Sequence, residues 1–147
     1  MTQTVAEYRT KINALEDAMR ASGTTVDPET LTEHVFCEGV YMRQLRIPKG
    51  YTVTGKIHRH ACINILLQGK IRIALKDGSQ QTMAAGTWFI SEPGEKKAGY
   101  ALEDTLWLNL HAVGAETDLD EIEKKVIVPS YEALEAESQE KLAGSES

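Results

Sequence analysis

Gly55-Lys56-Ile57-His58-Arg59-His60-Ala61-Cys62-Ile63-Asn64-Ile65-Leu66-Leu67-Gln68-Gly69 combines a histidine pair with an alternating apolar pattern. In an extended strand successive side chains leave opposite faces, so His58 and His60 share a face. Cys62 and Asn64 have the same parity if the strand runs on without a bulge. The opposite parity holds Ile57, Ala61, Ile63 and Ile65, interrupted by Arg59. Each face therefore has a claim to the core, and periodicity alone leaves the choice open. Neutral imidazoles converging from one face can share a divalent metal. The competing reading is a solvated pair, since most histidines bind no metal.

Outward from this segment the chain reads as short runs rich in Val, Ile, Thr and aromatics, at 40–47, 51–60, 62–67, 70–75, 80–83, 87–90 and 105–113. Pro48-Lys49-Gly50, Gln68-Gly69 and Pro93-Gly94 punctuate them, and Asp77-Gly78 is the dipeptide of a two-residue hairpin turn. No helical periodicity interrupts the block, so its connections are of hairpin or Greek-key type and the sheet is antiparallel. The expected class is mainly β, flanked by helices at both ends.

Before the block, Val5, Tyr8, Ile12, Leu15 and Met19 recur at steps of three and four, and Thr4 with Glu7 resembles a capping box. This narrow stripe suits docking on the β domain or pairing with a second copy. After the block, Leu119, Ile122 and Val126 share a helical face, and a second short helix follows Pro129-Ser130. The residues from 143 onward are expected to fray. The division is 1–28 for the helix and linker, 29–114 for the β domain and 115–147 for the helical extension, all one domain.

With 147 residues the chain suits one hydrophobic core. A formal net charge of −6 works against binding phosphate backbones, so nucleic acid is not an expected partner. No apolar run is long enough to cross a bilayer, and MTQTVAEYRTK has no signal-peptide pattern, so a cytoplasmic location without membrane contact is expected. Cys37 and Cys62 form no CxxC pair and are read first as thiols.

Gly50, His58-x-His60, an apolar strand ending at Gly69, then Gly86 and Pro93-Gly94 follow an order that resembles the two linked motifs of the cupin family. The resemblance spans roughly 35–113. More narrowly, GKIH, NILLQGKI and EPGEKKAGYALEDTLW look like short, uncharacterised single-cupin proteins of tailed phages and prophages. The fold that this resemblance implies is a cupin-type jelly-roll antiparallel β-barrel, and His58 and His60 match the family's paired metal ligands. Three departures stand beside it. His60 to Gly69 is two residues short of the pattern; the family's Glu falls on Cys62 or is lost beside Asn64; and Lys97 stands where the second motif has its His.

His111 offers a replacement, because it shares a face with Trp107 and Asn109 opposite three leucines. It can look into the barrel mouth as a third ligand or end its strand in solvent. Cys62 is a soft ligand or an inert buried thiol. The metal candidates are thus His58, His60, His111 and Cys62, with Fe, Mn, Ni or Zn as the cofactor. Candidates for contacting a small-molecule ligand are Asn64, Lys97, Tyr100, Trp107 and Asn109; Lys97 would attract an anion and Tyr100 would form a wall. Glu95, on the Pro-Gly turn, is read as surface. Three functions compete: a metal-dependent enzyme, a metal-free module sequestering a small anionic metabolite, and a phage accessory protein acting through its helices. A homodimer is expected, formed through an exposed sheet edge or the helical stripe.

Overall fold

The computed structural model describes residues 3–21, 27–75 and 77–145. Helix α1 (Val5–Ala21) is followed by a 3-10 turn at Pro28–Leu31 and by strands β1 (Thr32–Cys37), β2 (Gly39–Ile47), β3 (Thr52–Thr54), β4 (Ile57–His58), β5 (Cys62–Gln68), β6 (Lys70–Ala74), β7 (Gln80–Ala84), β8 (Trp88–Ser91), β9 (Ala98–Ala101) and β10 (Thr105–Gly114). The chain ends in α2 (Leu119–Val126), β11 (Ile127–Val128) and α3 (Tyr131–Ser145). The expected linker at 22–28 lies largely outside the described residues, as do the last two of the tail. Helix α3 continues to Ser145, longer than the short helix expected.

Every strand pairing is antiparallel. One sheet has the order β1-β2-β10-β5-β8, a second the order β3-β9-β6-β7, and β4 pairs with β11 in a two-stranded ribbon. The mainly β, antiparallel expectation holds, but the expected closed barrel does not, because among the described residues the sheets are not hydrogen-bonded into one cylinder. The physical reason lies in the 51–60 run. Read as one strand, it breaks at Gly55-Lys56, and its second half leaves both sheets to pair with β11.

The core lies between the two sheets. Ile47, Leu66, Ile71, Ile73, Ala101 and Trp107 form it, with Leu45, Val53, Leu75, Met83 and Phe89 packed around them. Each buried aliphatic side chain contributes roughly 1.5–3 kcal/mol. This core resolves the parity question in β5: Cys62, Asn64 and Leu66 point inward, while Ile63 and Leu67 face out. The β5–β6 corner requires glycine. Gly69 has φ +88°, and a Cβ there would lie 2.2 Å from the Asp104 carbonyl oxygen. The hairpin at Asp77-Gly78 exists, but Leu75 N–H donates to Ser79 O at 2.9 Å, making the connection longer than two residues.

Both helical extensions dock on the β domain. Thr4 Oγ1 accepts from Glu7 N–H at 3.1 Å, as the cap signal requires. Tyr8, Ile12 and Leu15 then pack against Ala74 and Ala98, and Tyr8 Oη donates to the Lys96 carbonyl at 2.6 Å. Tyr8, Ile12 and Leu15 of the helical stripe are therefore consumed within the chain, while Val5 stays exposed. At the other end Ile122 and Val126 of α2 pack on Tyr41, and Val128 and Tyr131 pack on Ile57.

Arg59, which interrupts the apolar parity of its segment, ties this extension down. Its guanidinium donates to both Glu137 oxygens, at 3.1 and 2.7 Å, and to the carbonyls of Lys124 and Lys125 at the end of α2. A cation there also complements the helix dipole. Arg59→Met is expected to cost about 1–2 kcal/mol and to speed proteolytic cleavage within 115–140. An unchanged cleavage rate would show that the apolar contacts hold the extension alone.

Candidate functional site

Register across the five-stranded sheet lays its inward residues in three rows. Leu45, Trp107 and Leu66 form an apolar row. Next come Arg43, Asn109 and Asn64. The third row pairs Tyr41 with His111, and Cys62 with Ser91. The interior is thus graded from a dry floor to a polar end, where β4 brings in His58.

Asn64 organises the middle row. It is 1 % exposed, and its Oδ1 accepts from Trp107 Nε1 at 3.0 Å and from Asn109 Nδ2 at 2.5 Å. Its Nδ2 donates to Ser91 Oγ at 2.7 Å. A buried amide needs such partners, since an unmade hydrogen bond costs about 1–3 kcal/mol. The network fixes the amide's orientation and anchors the neighbouring residues of β5.

Beyond it, Cys62 Sγ lies 3.3 Å from His58 Nδ1, and the His58 and His111 rings meet edge to face with centroids 5.1 Å apart. Donor atoms of His58, Cys62 and His111 all fall within 4.8 Å of one another. Among the described residues this is the one cluster of three His, Cys, Asp or Glu side chains so arranged. Burial drives both histidines down to about pKa 4, helped for His58 by His111 and Arg43 and for His111 by Arg43. Burial also raises the Cys62 thiol, against hydrogen bonds from Ser91 and Asn64 that lower it. At neutral pH the imidazoles are lone-pair donors.

An acid-stability prediction follows for chelator-treated protein. In the unfolded chain each histidine takes up a proton near pH 6.5, whereas in the folded chain it resists until about 4. Stability is therefore complete above pH 6.5 and falls as pH drops towards 4, by at most roughly 3 kcal/mol per histidine. Thermal melts across this window should show the loss, and His111→Gln should flatten part of it. A melting temperature independent of pH there would contradict the burial of these rings.

His60 does not join the group. Strand β4 ends at His58, the chain bends at Arg59 and His60, and the His60 side chain is exposed. The expected same-face pair is thereby broken, while His111, buried at 7 % exposure, supplies the second imidazole. Tyr100 is 41 % exposed and shares the outward parity of Arg72, opposite Ile71 and Ile73, so it is no pocket wall. Lys97 does turn inward, over the Phe89 ring at 5.3 Å, but Glu95 Oε2 balances its charge at 2.9 Å. Glu95 is correspondingly not a surface residue; its side chain is 11 % exposed. Lys97 and Glu95 line a cleft of about 300 Å3 with Tyr8, Ala74, Leu75 and Asp77.

Several residues were not singled out in the sequence. Arg43, 14 % exposed, faces inward from β2 beside Asn109, with Glu29 Oε1 at 3.8 Å. Its alternation with Tyr41, Leu45 and Ile47 was the available signal. Tyr41 Oη lies 2.6 Å from His34 Nδ1, and His34 Nε2 lies 3.1 Å from Glu29. Burial raises the Tyr41 phenol above its ordinary value. The Tyr41 ring also stacks on His111 at 5.9 Å between centroids, which steadies that imidazole.

No family model matches the chain, and no curated protein matches it. Among solved structures it is similar to KdgF from a Halomonas species, at 21 % identity over 58 % of this chain and 81 % of that one, with a TM-score of 0.48. A cupin superfamily protein from Desulfitobacterium hafniense matches at 14 % identity over 63 % and 86 %, TM-score 0.49. An RmlC-like cupin with a double-stranded β-helix fold from Methanocaldococcus jannaschii matches at 15 % over 56 % and 78 %, TM-score 0.48. Among the described residues no helix is long and apolar enough to cross a membrane.

Proposed function

We propose that this chain is a small cupin-type protein that holds a divalent transition metal on His58, Cys62 and His111. The observation that carries the reading is the convergence of three donors within 4.8 Å at the polar end of an otherwise apolar interior. Facing antiparallel sheets and the order of the glycine and histidine motifs support the cupin type. The narrower likeness to phage proteins rests on the three sequence stretches alone.

Two neutral imidazoles and a thiolate form a borderline-soft donor set. It favours zinc, accommodates iron and nickel, and disfavours manganese, which prefers oxygen ligands. When bound, a metal on three protein ligands supplies Lewis acidity at an open coordination position. The chain's own groups define what can approach. Asn64 holds the inner wall, Trp107 excludes water from the floor, and Arg43 with Asn109 presents charge and a hydrogen-bonding amide to an anionic group.

Native mass spectrometry of protein treated with chelator and then with zinc tests this reading. One retained zinc per chain is expected, with a higher melting temperature that rises with the logarithm of free zinc. No retained zinc, iron or nickel would contradict it. Arg43 favours a second reading, a metal-free module for a small anion, in which a dicarboxylate stabilises the protein equally in chelator.

A further inference from the structure

The three metal donors are held unequally. Cys62 on β5 and His111 on β10 belong to adjacent interior strands of the five-stranded sheet. His58 does not. Its strand, β4, is two residues long and lies outside both larger sheets. Among the described residues β11 is its one strand partner, with His58 opposite Ile127 and Ile57 opposite Val128. The next residue continues the seam, since Arg59 N–H donates to the Val126 carbonyl at 2.7 Å. On its other side the His58 carbonyl accepts from Gly94 N–H at 2.8 Å. That turn is itself covered by α3, where Leu134 Cδ2 would lie 3.1 Å from a Cβ placed on Gly94. Ile57, Val128 and Tyr131 form a buried cluster of their own, separate from the main core.

From this unequal support we infer that the segment running from α2 to α3 is what places His58 at the metal, so that docking of the segment and metal binding are one linked equilibrium. The inference rests on the three-donor site proposed above. An opening that releases α2, β11 and α3 leaves both larger sheets and their core paired, so it costs less than global unfolding. Partly exposed ion pairs such as Arg9–Glu135 add little to the hold. In the open form β4 has lost β11 and the Gly94 turn has lost its cover, while Cys62 and His111 keep their sheet. Two placed donors then remain where the closed form has three. A metal that prefers the closed form must favour docking by the same factor by which docking favours the metal. Residues 119–138 contain none of the three donors, so a metal effect there reports the linkage rather than coordination.

Hydrogen–deuterium exchange read by mass spectrometry on the full chain, apo and with zinc at roughly a hundred times its dissociation constant, tests this. Loss of one ligand weakens zinc binding to the open form by about a hundredfold, so amides of 119–138 that exchange through release of the segment should slow by roughly fiftyfold. In His58→Ala protein at the same zinc concentration the slowing should disappear, which separates linkage from zinc adsorbed on the acidic side chains of α2. Reciprocally, Val128→Asp places a carboxylate in the cluster with Ile57 and Tyr131. It should release the segment and raise the zinc dissociation constant towards that of His58→Ala. Should that variant fail to fold, exchange in the unaltered chain and in His58→Ala decides alone. One retained zinc per chain with exchange in 119–138 unchanged would overturn the linkage while leaving the metal site standing. Equal slowing in His58→Ala would overturn it too. No retained zinc would remove the site and the linkage with it.

Discussion

His58→Ala and His111→Ala should each weaken zinc binding by more than about a hundredfold, while His60→Ala leaves it unchanged. Loss of a partner outside the coordination shell already costs roughly 10–100-fold in metal affinity, so removing one of three protein ligands must cost more. The contrast between His58 and His60 is the informative part. They are two residues apart, and a continuous strand would make them equivalent. The chain instead bends after His58, leaving His60 exposed and His58 beside Cys62 at 3.3 Å. Both alanine variants should fold. Neither His58 nor His111 belongs to the main core, and His111→Ala gives up ring contacts with Tyr41 and His58. Isothermal titration with zinc separates the three variants. Equal losses for His58→Ala and His60→Ala would restore the single-strand reading.

The second large effect is expected at Asn64. Asn64→Leu keeps the branched shape and heavy-atom count of the side chain but strands the Trp107 indole N–H, the Asn109 amide and the Ser91 hydroxyl. Buried groups left unmade in this way cost about 1–3 kcal/mol each, and the whole substitution should cost about 3–5 kcal/mol. Urea denaturation should show the loss as a lower midpoint at unchanged slope. Asn64→Asp keeps the acceptor for Trp107 and Asn109 but buries a charge, so its loss should grow as pH rises. A loss below about 1 kcal/mol for the leucine variant would mean that water replaces the amide's partners.

Much of this architecture could be read from alternation. Strand β10 displayed its two faces in the sequence, and Trp107, Asn109 and His111 do look inward together. Parity in β5 likewise kept Cys62 with Asn64. Local pattern failed where long-range pairing rules. Strand β4 ends where it does because β11, some seventy residues later, pairs with Ile57 and His58, and no window around His60 contains that information. Strand β9, Ala98-Gly99-Tyr100-Ala101, has weak β propensity. It exists because Gly99 leaves room for Ile71, whose Cδ1 would lie 2.8 Å from a Cβ at that position. Arg43 was legible and passed over, since an arginine alternating with Tyr41, Leu45 and Ile47 must either break the core or serve it.

The chemistry was harder to place than the fold. Lys97 occupies the position of a ligand in the motif order, and its side chain does reach the interior. Its partner Glu95, two residues away on the same turn, removes the free charge that would have made it an anion receptor. Arg43 reaches the interior from a different strand, with Glu29 Oε1 3.8 Å away. Charge balance of this kind depends on which side chains meet, which spacing along the chain does not show.

Cobalt(II) titration followed by visible and near-ultraviolet absorption tests the central claim most directly, because cobalt reports both the thiolate and the coordination number. The account predicts one cobalt per chain, with intense tetrahedral d–d bands and a sulfur-to-cobalt charge-transfer band. Cys62→Ser should lose the charge-transfer band, and His111→Ala should lose both features. Cobalt bound without the sulfur band, or a spectrum unchanged by these substitutions, would contradict a metal held by His58, Cys62 and His111.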